Sequence, residues 1–343
     1  MKTIAILVLF LNLGVTALFA DNIKDAESYI KQGTNKRNLE DNTGAIQDFS
    51  KAIELNPKDA GAYRLRGESK HYLQDYTGAI QDYSKAIELE PELALAYNNR
   101  GAAKSELQDY TGAIQDYSKA IELEPKLALA YNNRGKAKFN LKDYTGAIQD
   151  LSKAIEFYPK DAGAYRLRGD AKHHLQDSAG AFQDYNKAIE LNPKDAWAYH
   201  SRGFLKQLWE DNTGAIQDFS KGIELDPKRA GAYYYRGTAK FDLQDYTGAI
   251  QDLSKTIELN PKDAFAYRYR GEAKFNLEDY TGAIQDLSKA IELYPKNARA
   301  YYLRGLANEM LKDTLSALAD LNKAGELGLT EAYEQIQRIQ KGN

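Results

Sequence analysis

All eight prolines of the chain fall 34 residues apart, at Pro57, Pro91, Pro125, Pro159, Pro193, Pro227, Pro261 and Pro295. Tyrosines keep the same step from Tyr29 to Tyr301, and aspartates keep it from Asp48 to Asp320. A period of this length argues against one closed core. Each unit is too short to bury its own apolar surface, so neighbouring units must cover one another. Nine units result, starting near Ala26 and ending near Glu331.

Within one unit, the segment ALAYNNRGAAKSEL has helical periodicity, and a second periodic segment, YTGAIQDYSKAIEL, follows Gln108 and Asp109. In the second segment Ala113, Ile114, Tyr117, Ala120 and Ile121 stand three, four and seven apart, so they share one apolar stripe. Asp109 is placed to cap that helix, and Pro125 halts it by lacking an amide and disfavouring helical geometry in the residue before it. Short turns make the paired helices antiparallel. Glycines recur in the middle of the first helices, as at Gly101 and Gly135, where each costs about 1 kcal/mol of propensity relative to Ala. The expected reason is close approach to small residues such as Ala113 and Ala147 of the paired helix. The glycines in the first turn of the second helices, such as Gly112 and Gly146, have no explanation from sequence.

These units, for example AYNNRGAAKSELQDYTGAIQDYSKAIELEP, resemble tetratricopeptide repeats over residues 26–331. The resemblance implies an all-α, right-handed superhelical solenoid of antiparallel helix pairs whose first helices line a concave groove. The chain departs from the commonest repeat by placing Arg, from Arg66 to Arg304, where a core Leu would stand, with Lys four residues on from Lys70 to Lys274. The regular Asp of the second helix is the expected counter-charge for both, which makes this a structural network. The tail lacks the next Arg-Gly, and Ala332, Tyr333, Ile336 and Ile339 mark a last amphipathic helix over 332–343.

Residues Met1 to Ala20 form an apolar run after one Lys, followed by a polar start, and resemble a secretory signal peptide. Cleavage after Ala20, or alternatively after Ala17, leaves a periplasmic or secreted chain without stable membrane insertion. The expected organisation is therefore 1–20 leader, 21–331 repeats and 332–343 covering helix.

Composition narrows the chemistry. The 343 residues contain no cysteine and four histidines, which excludes thiolate catalysis and disulfides and leaves little for a metal site. With 46 Lys and Arg against 49 Asp and Glu, no net positive field gathers nucleic acid. No phosphate loop, HExxH, GxSxG or calcium-loop pattern occurs, so neither enzymatic activity nor a cofactor is expected. His173 and His174 are expected to be polar groove lining or surface, and Trp209, which replaces Leu175 and Leu243 of other units, to fill core.

Variation between otherwise similar units points to a working face. The changing first-helix positions include Arg64, Asn99, Asn133, Arg166, His200 and Arg268, and the C-terminal half becomes more aromatic. Trp197, Tyr234, Tyr235, Phe265, Tyr269 and Tyr302 are the expected ligand-facing strip, with Asn99 and Asn133 supplying amides. A clamp for a C-terminal carboxylate, which some members of the resembled family carry, is not expected, because Arg64, Glu68 and Leu129 stand at its Lys and Asn positions. The leading reading is a non-enzymatic scaffold for a protein or extended peptide. Glycan binding and a structural assembly role, including self-association, remain open alternatives at this point.

Overall fold

A computed structural model describes residues 22–342, so the expected leader lies outside the described residues. Among the described residues every regular element is a helix, and none is long and apolar enough to cross a membrane. The chain falls into two compact units, one ending at Ala181 and the other beginning at Phe182. Within each, antiparallel helix pairs stack one on the next as a superhelical solenoid.

The pair Ala94–Glu106 and Tyr110–Leu123 shows how the sequence builds a repeat. Asp109 accepts a hydrogen bond from the Gly112 amide at 2.9 Å and so satisfies one of the unpaired donors at the start of the second helix. That helix ends at Leu123, with Glu124 as its cap and Pro125 beyond. Between the helices Gln108 adopts φ 63°, and the same left-handed turn recurs at Gln74, Gln244 and Lys312 with φ of 61–64°. Ala96, Ala103, Ala113 and Ala120 are fully buried, so small side chains let the helices approach closely.

The first-helix glycines meet something larger than the expected alanines. A methyl group added at Gly67 or Gly101 would lie within 2.7 or 2.8 Å of the ring of Tyr83 or Tyr117, and one at Gly135 within 2.8 Å of Leu151. The bulky buried residue of the second helix thus fills the space left by the missing Cβ. The alanine contributes at most its carbonyl, as Ala113 does 3.1 Å from the position built on Gly101. The glycines of the second helices also gain a reason: a Cβ at Gly112 would sit 2.2 Å from the capping Asp109 carboxylate.

The arginines behave as the charge pattern predicts. Arg66 donates through Nε and Nη2 to Asp82 at 2.9 and 2.7 Å, while Nη1 donates to Ser50 on the preceding second helix at 3.1 Å. Lys70 adds a contact to Asp82 at 2.8 Å, and the Arg66 guanidinium lies over Tyr63 at 5.5 Å. Arg100, Arg134, Arg236 and Arg270 repeat the arrangement, Arg304 does so with Asn308 in place of the lysine, and Arg202 takes Asn186 in place of the serine. Each such arginine ties a first helix to two second helices.

Two further expectations meet different outcomes. Trp209 is 48% exposed, lying against Phe182 at 5.2 Å, because its position caps the helix end, where Leu175 and Leu243 are also about half exposed. It does not fill core. The last helix, Glu331–Gly342, buries Ala332 and Ile336 against Leu321 and Ala324 as its amphipathic pattern implies. Gly328, with φ +100°, provides the turn into it.

Candidate functional site

The first helices of successive repeats lie side by side, and their variable positions form one face within each unit. In the unit ending at Ala181 that face is polar and cross-bonded within the chain, and it borders cavities of about 270 Å³ beside Glu68 and Asn99 and about 290 Å³ beside Glu106 and Asn133. Glu68 accepts from Arg37, Arg64 and Asn99, the last at 3.0 Å. Asn98 continues the ladder by donating to Asn99 at 3.1 Å and accepting from Asn133 at 3.0 Å. Arg166 pairs with Asp170 at 3.2 Å. Arg64, Asn99 and Asn133 are thereby held in fixed positions by neighbours within the chain, and Glu68 explains why an arginine is tolerated at Arg64.

In the unit beginning at Phe182 the same face is aromatic. Tyr234 meets Tyr235 edge to face at 5.2 Å and Tyr269 at 6.0 Å, and Phe204 meets Tyr235 at 5.2 Å. These rings come from helices Ala196–Leu208, Ala230–Asp242 and Ala264–Asn276 and border a cavity of about 260 Å³. Gln207, Leu208, Thr238 and Asp242 complete its wall, with Gln207 donating to Thr238 at 3.0 Å. Burial raises the Tyr234 hydroxyl well above its usual range, so it stays protonated.

His200 lies behind this wall, 5.4 Å from the Tyr235 ring and 5.6 Å from Phe219. Burial, aided by the charge of Arg229, pushes its pKa down to about 3, so the ring is neutral near pH 7. Arg268 lies over Tyr269 at 3.8 Å and pairs with Glu272 at 2.9 Å, which also accepts from Arg299 at 2.8 Å. Tyr302 packs partly buried beside the core around Leu303.

The remaining two members of the expected strip point elsewhere. Trp197 is 57% exposed and carries the Arg229 guanidinium over its ring at 3.2 Å. Phe265 is 51% exposed and pairs with Tyr294 at 6.1 Å. Both sit at the second residue of a first helix, beside the turn between repeats. The equivalent Leu129 borders an open cleft of about 930 Å³ with Leu127, Phe157 and Tyr158. The structure thus assembles His200, Tyr234, Tyr235 and Tyr269 in one place and leaves Trp197 and Phe265 on the turn edge. Phe204, Gln207, Thr238 and Asp242 were not singled out by sequence, although each also changes from repeat to repeat. Asp242, for instance, stands where other units carry Tyr72, Glu106, His174 or Met310.

No group of three or more His, Asp or Glu is placed to hold a metal among the described residues, and His174 instead stacks on Tyr144 at 4.4 Å. Profiles described as TPR repeat match residues 67–108, 104–142, 169–207 and 271–312, and profiles described as tetratricopeptide repeat match 26–59, 128–161 and 210–264. Among curated proteins, none matches the chain. Among solved structures, a tetratricopeptide repeat protein from Parabacteroides merdae is similar at 20% identity, covering 73% of this chain and 99% of its own, with TM-score 0.54. PilF of Pseudomonas aeruginosa is also 20% identical, covering 60% of this chain and 94% of its own, with TM-score 0.55. MamA is 30% identical over 48% of this chain and 96% of its own, with TM-score 0.45. The chain belongs to the tetratricopeptide repeat family, and its fold is that of a protein-binding scaffold.

Proposed function

We propose that the protein binds an extended peptide segment of a partner along the first-helix face of the unit beginning at Phe182, with the tyrosine-walled cavity as its anchor. The observation that carries this reading is the cavity bordered by Tyr234, Tyr235 and Tyr269, each from a variable repeat position. Rigid aromatic side chains offer large contact area at little entropic cost, and a preformed wall needs no refolding on contact. The equivalent face around Glu68 borders a cavity of similar size, about 270 Å³, but its Glu68 and Asn99 are already hydrogen-bonded within the chain, so the tyrosine wall is the better anchor.

Crosslinking mass spectrometry on affinity-captured protein tests the reading when run beside a Tyr235→Ala/Tyr269→Ala variant. The expected result is a reproducible crosslink near residues 200–270 that the variant loses. A partner retained unchanged by the variant moves the interface to another surface. Polysaccharide binding without any protein crosslink favours the glycan alternative.

We further propose that the protein acts in the periplasm or outside the cell, a reading supported by the leader-like sequence Met1–Ala20 and the polar residues after it. N-terminal sequencing from fractionated cells checks this. A chain starting at Asp21 in the exported fraction supports the proposal, and an intact Met1 in the cytoplasm overturns it.

A further inference from the structure

We propose that the tyrosine-walled cavity is a subsite for a cationic side chain, Lys or Arg, carried by the bound peptide. This rests on the groove reading above and adds the chemistry of what enters. The cavity holds about 260 Å³ and is bordered by Phe204, Tyr234, Tyr235 and Tyr269. Neighbouring rings stand nearly perpendicular, with interplanar angles of 76° for Phe204 and Tyr235, 80° for Tyr234 and Tyr235, and 76° for Tyr234 and Tyr269. Walls built this way present ring faces as well as edges, and ring faces attract cations.

The second observation is electrostatic. Asp242 lines the same cavity one helical turn beyond Thr238, and it forms no ion pair with Lys or Arg. Asp242 is exposed as a residue, and partial burial of its carboxyl raises its pKa from the ordinary carboxylate range against a hydrogen bond from Gln207. The nearby cations share acids in pairs, Arg236 and Lys240 on Asp252 and Arg268 and Arg299 on Glu272, and Arg268 already lies over the Tyr269 ring at 3.8 Å, an internal example of a cation on these rings. His200, behind the Tyr235 ring, adds no opposing charge because it is neutral. Aromatic walls beside a carboxylate held in no ion pair favour a positive side chain over an apolar one of similar length, and reject a negative one.

The test uses the full chain and four acetylated, amidated heptapeptides of Ser and Ala that differ at a central Lys, Arg, Leu or Glu. The ¹³C-methyl resonance of Thr238 reports occupancy of the cavity. The Lys and Arg peptides are expected to shift it at concentrations at least about tenfold lower than the Leu peptide, with the Glu peptide weakest. Asp242→Asn should bring the Lys and Leu peptides within about twofold of each other while leaving the Leu peptide unchanged. Circular dichroism confirms that this variant is folded. Equal binding of the Lys and Leu peptides, or a Lys preference undiminished in Asp242→Asn, overturns the cationic subsite while leaving groove binding intact. Loss of response to all four peptides overturns both readings.

Discussion

At the level of single residues, two positions carry local costs that substitution can reveal. Gln244 holds φ 61° at the turn between the helices of its repeat, a region in which an L side chain crowds its own backbone and glycine does not. Gln244→Gly should therefore stabilise the protein by about 0.5–1 kcal/mol, and a thermal melt that fails to rise would contradict this account. His200 carries the other cost. Its folded pKa of about 3 lies below the unfolded value near 6.5, so the unfolded chain takes up the proton first as the pH falls. The histidine's contribution to stability is present above pH 6.5 and is lost progressively down to about pH 3. A His200→Phe variant should lose less stability than the parent between pH 6.5 and 4, measured by urea unfolding at each pH. Nitrogen NMR should find the His200 ring neutral at pH 5.

At the level of elements, the arginine network is the main polar tie between helices. In Arg236→Ala the carboxylate of Asp252 keeps Lys240 at 2.8 Å but loses two guanidinium bonds, and Ser220 loses its donor. Leaving a buried charge unpaired costs about 3–5 kcal/mol, and because Lys240 still compensates Asp252 the loss here should fall below that range. Faster amide exchange confined to the helices around residues 212–259 is the expected signature, because each repeat leans chiefly on its neighbours. This network was legible in the sequence, since a 16-residue offset from Arg to Asp recurs in register with a fixed helix–turn–helix. The identity of the glycine contact was not, because sequence spacing brings Gly101 close to both Ala113 and Tyr117 and only the packed side chain decides between them. The same limit explains Trp209: its periodic position was clear, but how far a helix-end side chain escapes coverage depends on the next unit. For the candidate site, unit-to-unit variation found Tyr234, Tyr235 and Tyr269 but could not separate them from Trp197 and Phe265. The second residue of a first helix and those three or four positions later differ in which edge of the helix pair they reach.

Across the whole molecule, the aromatic cavity is contained in three consecutive first helices of the unit that begins at Phe182. A chain lacking residues 22–123 should therefore remain helical and keep the response of the Thr238 methyl to the Lys peptide, within about twofold. A larger loss would mean that recognition draws on the polar ladder around Glu68 as well. The repeats also set the character of unfolding, which is expected to proceed by neighbouring units, so that local exchange is more informative than one melting temperature.

The arginine tie has a consequence for heredity. Each such arginine finds its acid within its own 34-residue unit and its neutral partner in the unit before, so any unit joined in frame behind another meets the groups it needs. Duplication or loss of a segment encoding one unit can then add or remove whole units without leaving a stranded charge, whereas a change of half a unit would strand one. Copy number is thus a trait that selection can adjust in single steps, and the tyrosine cavity is the kind of local divergence that such copying permits.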